Sequence, residues 1–102
     1  MDIVWTEAAD RDVALLFNYL EQRSMPAARA FLRAIFAAAH DLESMPRMGK
    51  VCELQLEREF RELVVGTCKL FYTIDRERDR LVIARVWDTR QDPTKFFLPH
   101  VP

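Results

Sequence analysis

The chain has 102 residues, half of them hydrophobic, and its 15 Lys and Arg against 16 Asp and Glu give a formal net charge of −1. This length suits one compact domain that can fold without crosslinks, and it leaves no room for a second domain. With this balanced charge the chain lacks the overall excess of basic residues that is typical of nucleic-acid-binding proteins. Residues 1–46 hold four basic and seven acidic side chains, whereas residues 47–90 hold ten basic and eight acidic. Any anion-facing surface is therefore expected in the second half.

Two helices are predicted in the first half of the chain. Residues 3–5 are a short apolar strand candidate, and Thr6 can cap the helix that follows because its hydroxyl accepts from free amides of the first turn. Apolar residues spaced three and four apart predict one amphipathic helix over residues 7–22 and another over about 26–43. Pro26 fits the first turn of the second helix, where its missing N–H costs nothing.

The second helix is rich in alanine, so it is slim and lets a neighbour approach closely. That neighbour is either the first helix, in an intramolecular hairpin, or another copy of the chain, in a homodimer. The short connector around Ser24 keeps the first helix near, which favours the hairpin.

In the second half the hydrophobic period changes to two, which predicts antiparallel strands. Gly66-Thr67 and the charged turn DRERDR separate strand candidates at residues 60–65, 68–74 and 81–87, and a weaker candidate covers 51–56. Along the last strand, Val82, Ala84 and Val86 are expected to point opposite to Leu81, Ile83, Arg85 and Trp87. One face of the sheet is then apolar and covered by the helices, while the other mixes basic and aromatic side chains.

These elements predict an α+β fold. An N-terminal strand and a two-helix antiparallel hairpin are expected to pack on one face of a three- to four-stranded antiparallel sheet. Residues 1–97 are expected to form the single domain, and residues 98–102 a flexible C-terminal tail.

The sequence carries few signals of a cofactor, a metal or a membrane. Cys52 and Cys68 form no CxxC pair and have no histidine nearby, so buried thiols are expected and not metal ligands. No phosphate loop, haem motif or ligand cluster occurs, so no cofactor is expected. No signal peptide or membrane-spanning run is recognisable either, so we expect a cytoplasmic protein with no membrane partner.

Several segments together resemble one protein family. The opening VWTEAADRDV, the helix end MPRMG, the pair FRELVVG and KLFYTID, and VIARVWDTRQDP are similar, in this order, to the RelE/ParE superfamily of toxins from type II toxin–antitoxin systems, also called plasmid stabilisation proteins. The resemblance covers residues 2–97 and is closer to the ParE type. It implies a cognate antitoxin as partner. The assembly is expected to be a toxin homodimer or a toxin–antitoxin heterotetramer.

The resemblance implies two alternative mechanisms. RelE-type members are ribosome-dependent endoribonucleases (mRNA interferases), whose basic side chains stabilise charge at the scissile phosphate of the messenger. Lys69 and Arg90 match catalytic positions of those members. Phe60 and Glu62 stand where the cleaving members carry lysine, and a carboxylate repels an approaching phosphate.

ParE-type members instead poison DNA gyrase. Because of the departures at the first sheet strand and the net charge of −1, we expect a ParE-like toxin that binds gyrase without catalysis. The alternatives are an endoribonuclease using Lys69, Arg61, Arg85 and Arg90, or a degenerate member that binds only its antitoxin. Residues that could bind the target or the antitoxin are Arg61, Arg85, Trp87, Phe96 and Phe97.

Individual residues keep structural alternatives. Arg85 is expected to form an ion pair with Asp88 or Glu62, because a buried arginine without a carboxylate is too costly. Arg61 could pair with Glu62 or with an acid on a neighbouring strand. Trp87, at an alternating strand position, is expected to pack in the core.

Overall fold

The computed structural model describes residues 1–52 and 57–102. Its elements follow the order β1, α1, α2, β2, β3, β4 and β5, and a short 3₁₀ helix comes last. Their bounds are Asp2–Trp5 for β1, Glu7–Glu21 for α1, Met25–Ser44 for α2, Lys50–Val51 for β2, Arg61–Val65 for β3, Cys68–Asp75 for β4, Arg80–Asp88 for β5 and Pro93–Lys95 for the 3₁₀ helix. The predicted α+β class is confirmed, with both helices packed on one face of a mostly antiparallel sheet.

Capping residues fix where both helices begin. The Thr6 hydroxyl accepts a hydrogen bond from the Ala9 amide at 3.1 Å, which is the predicted cap of α1. Ser24 caps α2 in the same way by accepting from the Ala27 amide at 3.2 Å. The two helices pack against each other, which confirms the intramolecular hairpin. In the described part of the chain, neither helix is long and apolar enough to cross a membrane.

Among the described residues the sheet has five strands in the order β1-β5-β4-β3-β2: the antiparallel strands β2 to β5, within the expected three to four, and the N-terminal strand β1, which joins the sheet at its edge. Strands β2 to β5 are antiparallel to their neighbours, but β1 lies parallel to β5. Parallel neighbours need a long connection, and here both helices and three strands lie between the pair. Of the predicted strand at 51–56, Val51 pairs with Arg61, while residues 53–56 lie outside the described residues.

A β-bulge interrupts the pairing of β4 with β5. Phe71 pairs with Arg85, whereas the next residue, Tyr72, pairs with Ile83, so Ala84 is the extra residue on β5. The Thr6 hydroxyl donates to the Ala84 carbonyl at 2.7 Å and so ties the bulge to the start of α1.

The bulge changes which side chains of β5 face the helices. Leu81 and Ile83 lie in the helix-side core together with Val86, whereas Val82 and Ala84 lie on the outer face. The expected simple alternation along this strand was therefore wrong, because one inserted residue moves every later side chain to the opposite face.

The sheet has an apolar cluster on each face. The helix-side core includes fully buried Ile35, Leu42, Leu70 and Tyr72. A smaller cluster covers the outer face, where the C-terminal segment folds back over β4 and β5; it contains Phe60, Phe71, Val82, Ala84 and Val101, with Trp87, Phe96 and Leu98 packed against it. Val101, which lies in the predicted flexible tail of residues 98–102, is only 8 % exposed.

Tyr72 anchors the connection between α2 and β2. Its hydroxyl donates to the Pro46 carbonyl at 2.8 Å and accepts from the Gly49 amide at 2.9 Å. A Cβ at Gly49 would lie 2.8 Å from that hydroxyl, so only glycine fits this close approach. Burial raises the pKa of Tyr72, and the hydroxyl therefore stays protonated.

Candidate functional site

The outer face of the sheet contains a cavity of about 550 Å³ between β2, β3, β4 and the segment after β5. Three charged groups and three aromatic rings are among the side chains that line it: Lys50, Glu62, Lys69, Phe71, Trp87 and Phe96. This mixture of basic and aromatic residues is the one expected from the strand pattern on the face away from the helices. The cavity is therefore the place where the predicted sheet residues could act together.

Lys69 does not present an open charge to this cavity. Its Nζ lies 3.3 Å from Oε1 of Glu62, and Lys50 Nζ lies 3.4 Å from the same oxygen. The Glu62 side chain is only 11 % exposed, and on β3 it lies between Lys50 of β2 and Lys69 of β4. One carboxylate thus offsets part of the positive charge of both lysines.

Arg61 points away from the cavity toward the α2–β2 connection. One guanidinium nitrogen donates to the Gly49 carbonyl at 2.8 Å, and another lies 3.4 Å from Oε1 of Glu59. The expected partner was Glu62 or an acid on a neighbouring strand, and the structure corrects this to Glu59. Arg61 holds backbone in place, and its charge is shared with a neighbouring acid.

Arg85 forms a buried ion pair, as predicted, but its partner is Asp12 of α1 and not Asp88 or Glu62. Nε and Nη2 of Arg85 bond to the two carboxylate oxygens of Asp12 at 2.7 and 2.9 Å. Nη1 donates to the Phe97 carbonyl at 2.9 Å, and Asp12 also accepts from the Val86 amide at 3.0 Å. Arg85 is 6 % exposed. Its hydrogen bonds connect β5 with α1 and with the C-terminal segment.

Asp12 is a residue that the sequence analysis did not single out. It lies one turn before Leu16, on the face of α1 that packs toward the core. A carboxylate on an otherwise apolar face is the signal that could have identified it, since such a group needs a buried cation. The two partners are 73 positions apart, so spacing alone could not pair them.

Arg90 pairs with Asp88 at the end of β5. Its Nη2 lies 2.6 Å from Oδ2 of Asp88, and its own backbone amide donates to Oδ1 at 2.9 Å. The hydrogen bonds from the Arg90 side chain lower the pKa of Asp88, and the same pair raises the pKa of Arg90. The bond from the Arg90 amide also shows that Asp88 organises the turn after β5.

Lys69 and Arg90, the two candidate catalytic residues, line different cavities. Lys69 lines the outer-face cavity, whereas Arg90 lines two clefts beside α1 with Leu16 and Tyr19. None of these three cavities is lined by both cations.

The aromatic candidates divide into packed and exposed rings. Phe96 lies 4.7 Å from Phe71 and 5.2 Å from Trp87 between ring centroids, so Trp87 packs in the outer cluster as expected. Phe97 is 58 % exposed, although its carbonyl is held by Arg85. Phe97 is therefore the candidate ring that is open to a partner.

Comparison with known families decides the identity of this fold. The family described as the ParE toxin of the type II toxin–antitoxin system parDE matches residues 3–93. The chain belongs to the ParE toxin family. It is a type II toxin–antitoxin toxin of the ParE/RelE superfamily, which confirms the resemblance found in the sequence.

Solved toxin structures share this fold. The chain is similar to the chromosomal ParDE toxin–antitoxin system from P. aeruginosa, with a TM-score of 0.70, 15 % identity, and 86 % of this chain and 95 % of that chain covered. It is also similar to the toxin–antitoxin complex RelBE2 from Mycobacterium tuberculosis, with a TM-score of 0.58, 27 % identity and coverage of 85 % and 95 %. A metal-bound toxin from Helicobacter pylori gives a TM-score of 0.64, 17 % identity and coverage of 95 % and 99 %. No curated protein matches the chain.

Proposed function

We propose that this ParE-family toxin inhibits growth by binding DNA gyrase, without covalent catalysis, and that a cognate antitoxin neutralises it. The observation that carries the proposal is the pairing of its sheet cations. Each of the four basic residues that could cleave RNA lies within 3.4 Å of a carboxylate: Arg61 with Glu59, Lys69 with Glu62, Arg85 with Asp12, and Arg90 with Asp88.

Messenger cleavage needs cations that are free to face the scissile phosphate. Charge builds up on that phosphate in the transition state, and preorganised positive groups lower its energy. Glu62 lies within the cavity beside Lys69 and repels a phosphate that approaches it. Arg85 is buried, and Arg90 lies in a different cleft. These four cations are poorly placed for one phosphate.

Binding to a protein target needs a different kind of surface. Aromatic and arginine side chains with a partly apolar surround are typical contacts in protein interfaces. The ring of Phe97 is exposed to solvent, and the preceding residue, Phe96, lines the outer-face cavity. We assign Phe97 a direct contact with gyrase or antitoxin, and Arg85 the role of holding the Phe97 backbone.

The antitoxin is proposed as a partner because relatives occur with one. A ParDE system and a RelBE2 complex are both similar in fold to this chain. We propose that the toxin assembles as a toxin–antitoxin heterotetramer or as a toxin homodimer. Light scattering of the co-purified toxin and antitoxin measures the mass of the assembly.

A supercoiling assay with purified gyrase tests the function. We expect the wild-type toxin to block supercoiling or to trap cleaved DNA, and added antitoxin to restore activity. Phe97→Ala should weaken the inhibition about tenfold or more, because the loss of an interface aromatic commonly costs that much. Phe36→Ala is the matched control, since Phe36 is a similarly exposed ring on α2. Unimpaired gyrase at saturating toxin contradicts the proposal.

One observation favours a second candidate, the ribosome-dependent endoribonuclease. Lys50 is 75 % exposed and lies beside Lys69, Trp87 and Phe96, and such rings can stack on bases. Primer extension on messenger from translating ribosomes tests it. Cuts at A-site codons that disappear in Lys69→Ala favour this candidate, and intact messenger excludes it.

A further inference from the structure

A second, smaller cavity lies at the other end of the sheet and is surrounded by arginines. It has a volume of about 260 Å³, and its lining includes Arg47, Arg58, Arg61 and Arg76. Glu59 is the one acidic residue among its described lining side chains. Four positive groups and one negative group around a small space make it strongly basic in a chain whose net charge is −1.

Two of the four guanidinium groups are held by the fold. Arg58 donates to the Val101 carbonyl at 3.0 Å and the Pro102 carbonyl at 3.2 Å. Arg61 bonds to the Gly49 carbonyl, but its Nε is buried without a hydrogen-bond partner among the described residues. These contacts fix two cations beside the cavity before any ligand arrives. Less side-chain conformational entropy is therefore lost when a ligand binds.

The other two guanidinium groups are available. Arg47 and Arg76 are exposed, and within residues 1–52 and 57–102 neither side chain has a hydrogen-bond or ion-pair partner. Glu59, which touches Arg61 at 3.4 Å, has a side chain that is 60 % exposed and can turn outward. The site therefore combines two fixed cations, Arg58 and Arg61, with two exposed ones, Arg47 and Arg76.

We propose that this arginine cavity binds a phosphate group. Arginine presents a planar fork of donors that matches phosphate oxygens, and several forks can share the terminal oxygens of one phosphate. The space suits a compact anion. Neither the Lys69 cavity nor the choice between gyrase and ribosome enters this inference.

The lining favours phosphate over an acidic peptide. A peptide needs pockets for its neighbouring side chains, whereas the described lining besides the charged groups consists of Thr73 and Ile74. The absence of an aromatic ring from that lining also leaves nothing for a base to stack on, so the phosphate is the part that is recognised. The phosphate could belong to a small molecule or to the backbone of a nucleic acid.

Calorimetric titration of inorganic pyrophosphate into the full chain tests the proposal. We expect binding at low salt, and the double variant Arg47→Ala/Arg76→Ala should weaken it roughly tenfold for each arginine removed. Both side chains are exposed and unpaired within the described residues, so the variant should fold, which circular dichroism checks. Glu59→Gln should bind more tightly, because it removes the resident counter-charge.

Arg33→Ala is the matched control, since Arg33 is exposed on α2 and does not line this cavity. It should leave the affinity unchanged. Equal weakening by Arg33→Ala and by Arg47→Ala/Arg76→Ala, or no binding to the wild type, overturns the proposal. A short DNA duplex separates the sources: arginine-dependent duplex binding indicates a nucleic-acid backbone, and pyrophosphate binding alone indicates a small ligand. Preference for an aspartate-rich peptide over both probes overturns the assigned class.

Discussion

Two ion pairs on β5 use the same chemistry in different surroundings. Arg85 and Asp12 are both largely buried, with side-chain exposures of 8 % and 13 %, and they connect elements that are far apart in the chain. Arg90 and Asp88 are two residues apart; the Asp88 side chain is 8 % exposed, but the Arg90 side chain is 65 % exposed. Burial of the cation decides what each pair can do, because a pair buried on both sides fixes the fold whereas an exposed arginine can exchange its partner for a ligand.

Removal of the buried cation should have the largest effect. Arg85→Ala leaves the Asp12 carboxylate without its cation and releases the Phe97 carbonyl, so we expect a loss of about 3–5 kcal/mol of unfolding free energy. Urea denaturation followed by circular dichroism measures it.

The double variant Asp12→Leu/Arg85→Met is the control for this prediction. It removes both charges together and should recover much of the loss, since the cost comes from the uncompensated carboxylate. If the double variant is less stable than Arg85→Ala, the pair stabilises the fold by more than mutual neutralisation.

The pair with the exposed cation should give a smaller effect that depends on pH. The hydrogen bonds from Arg90 lower the pKa of folded Asp88, so the ionised carboxylate stabilises the folded state above the unfolded pKa of about 3.9. Asp88→Asn should therefore cost up to about 1 kcal/mol at neutral pH. The difference from wild type should shrink as the pH falls through the folded pKa, because the wild type then also loses the charge. Thermal melts between neutral pH and pH 3 check this, and a constant difference contradicts it.

Arg90→Ala should have the smallest effect on stability. It removes the two side-chain hydrogen bonds that lower the pKa of Asp88, but the Arg90 backbone amide still donates to the carboxylate. The loss should therefore stay below that of Asp88→Asn at neutral pH and, as for that variant, shrink at low pH. Thermal melts measure it, and a loss as large as that of Arg85→Ala contradicts it.

The same contrast explains what the sequence could predict. Local rules predicted the Thr6 cap and the helix break at Ser24, because each depends on neighbours within a few residues. The change of the hydrophobic period from helical spacing to alternation predicted the α+β class. An ion pair for Arg85 was predictable from the cost of burying its charge.

Long-range features were not predictable in this way. The partner of Arg85 lies on another element, and the parallel pairing of β1 depends on where the chain returns after β4. The bulge at Ala84 has no sequence marker, since the hydrophobic alternation continues through it without a glycine. The arginine cavity likewise gathers Arg47 and Arg76 from separate loops, and only the tertiary structure brings them together.

Growth after induced expression of Lys69→Ala/Arg90→Ala tests most directly whether the paired sheet cations are catalytic. We expect the same loss of viability as for the wild type, because neither cation is needed to bind gyrase. Restored growth by a folded variant that still binds the antitoxin would contradict gyrase binding without catalysis and assign these cations to catalysis.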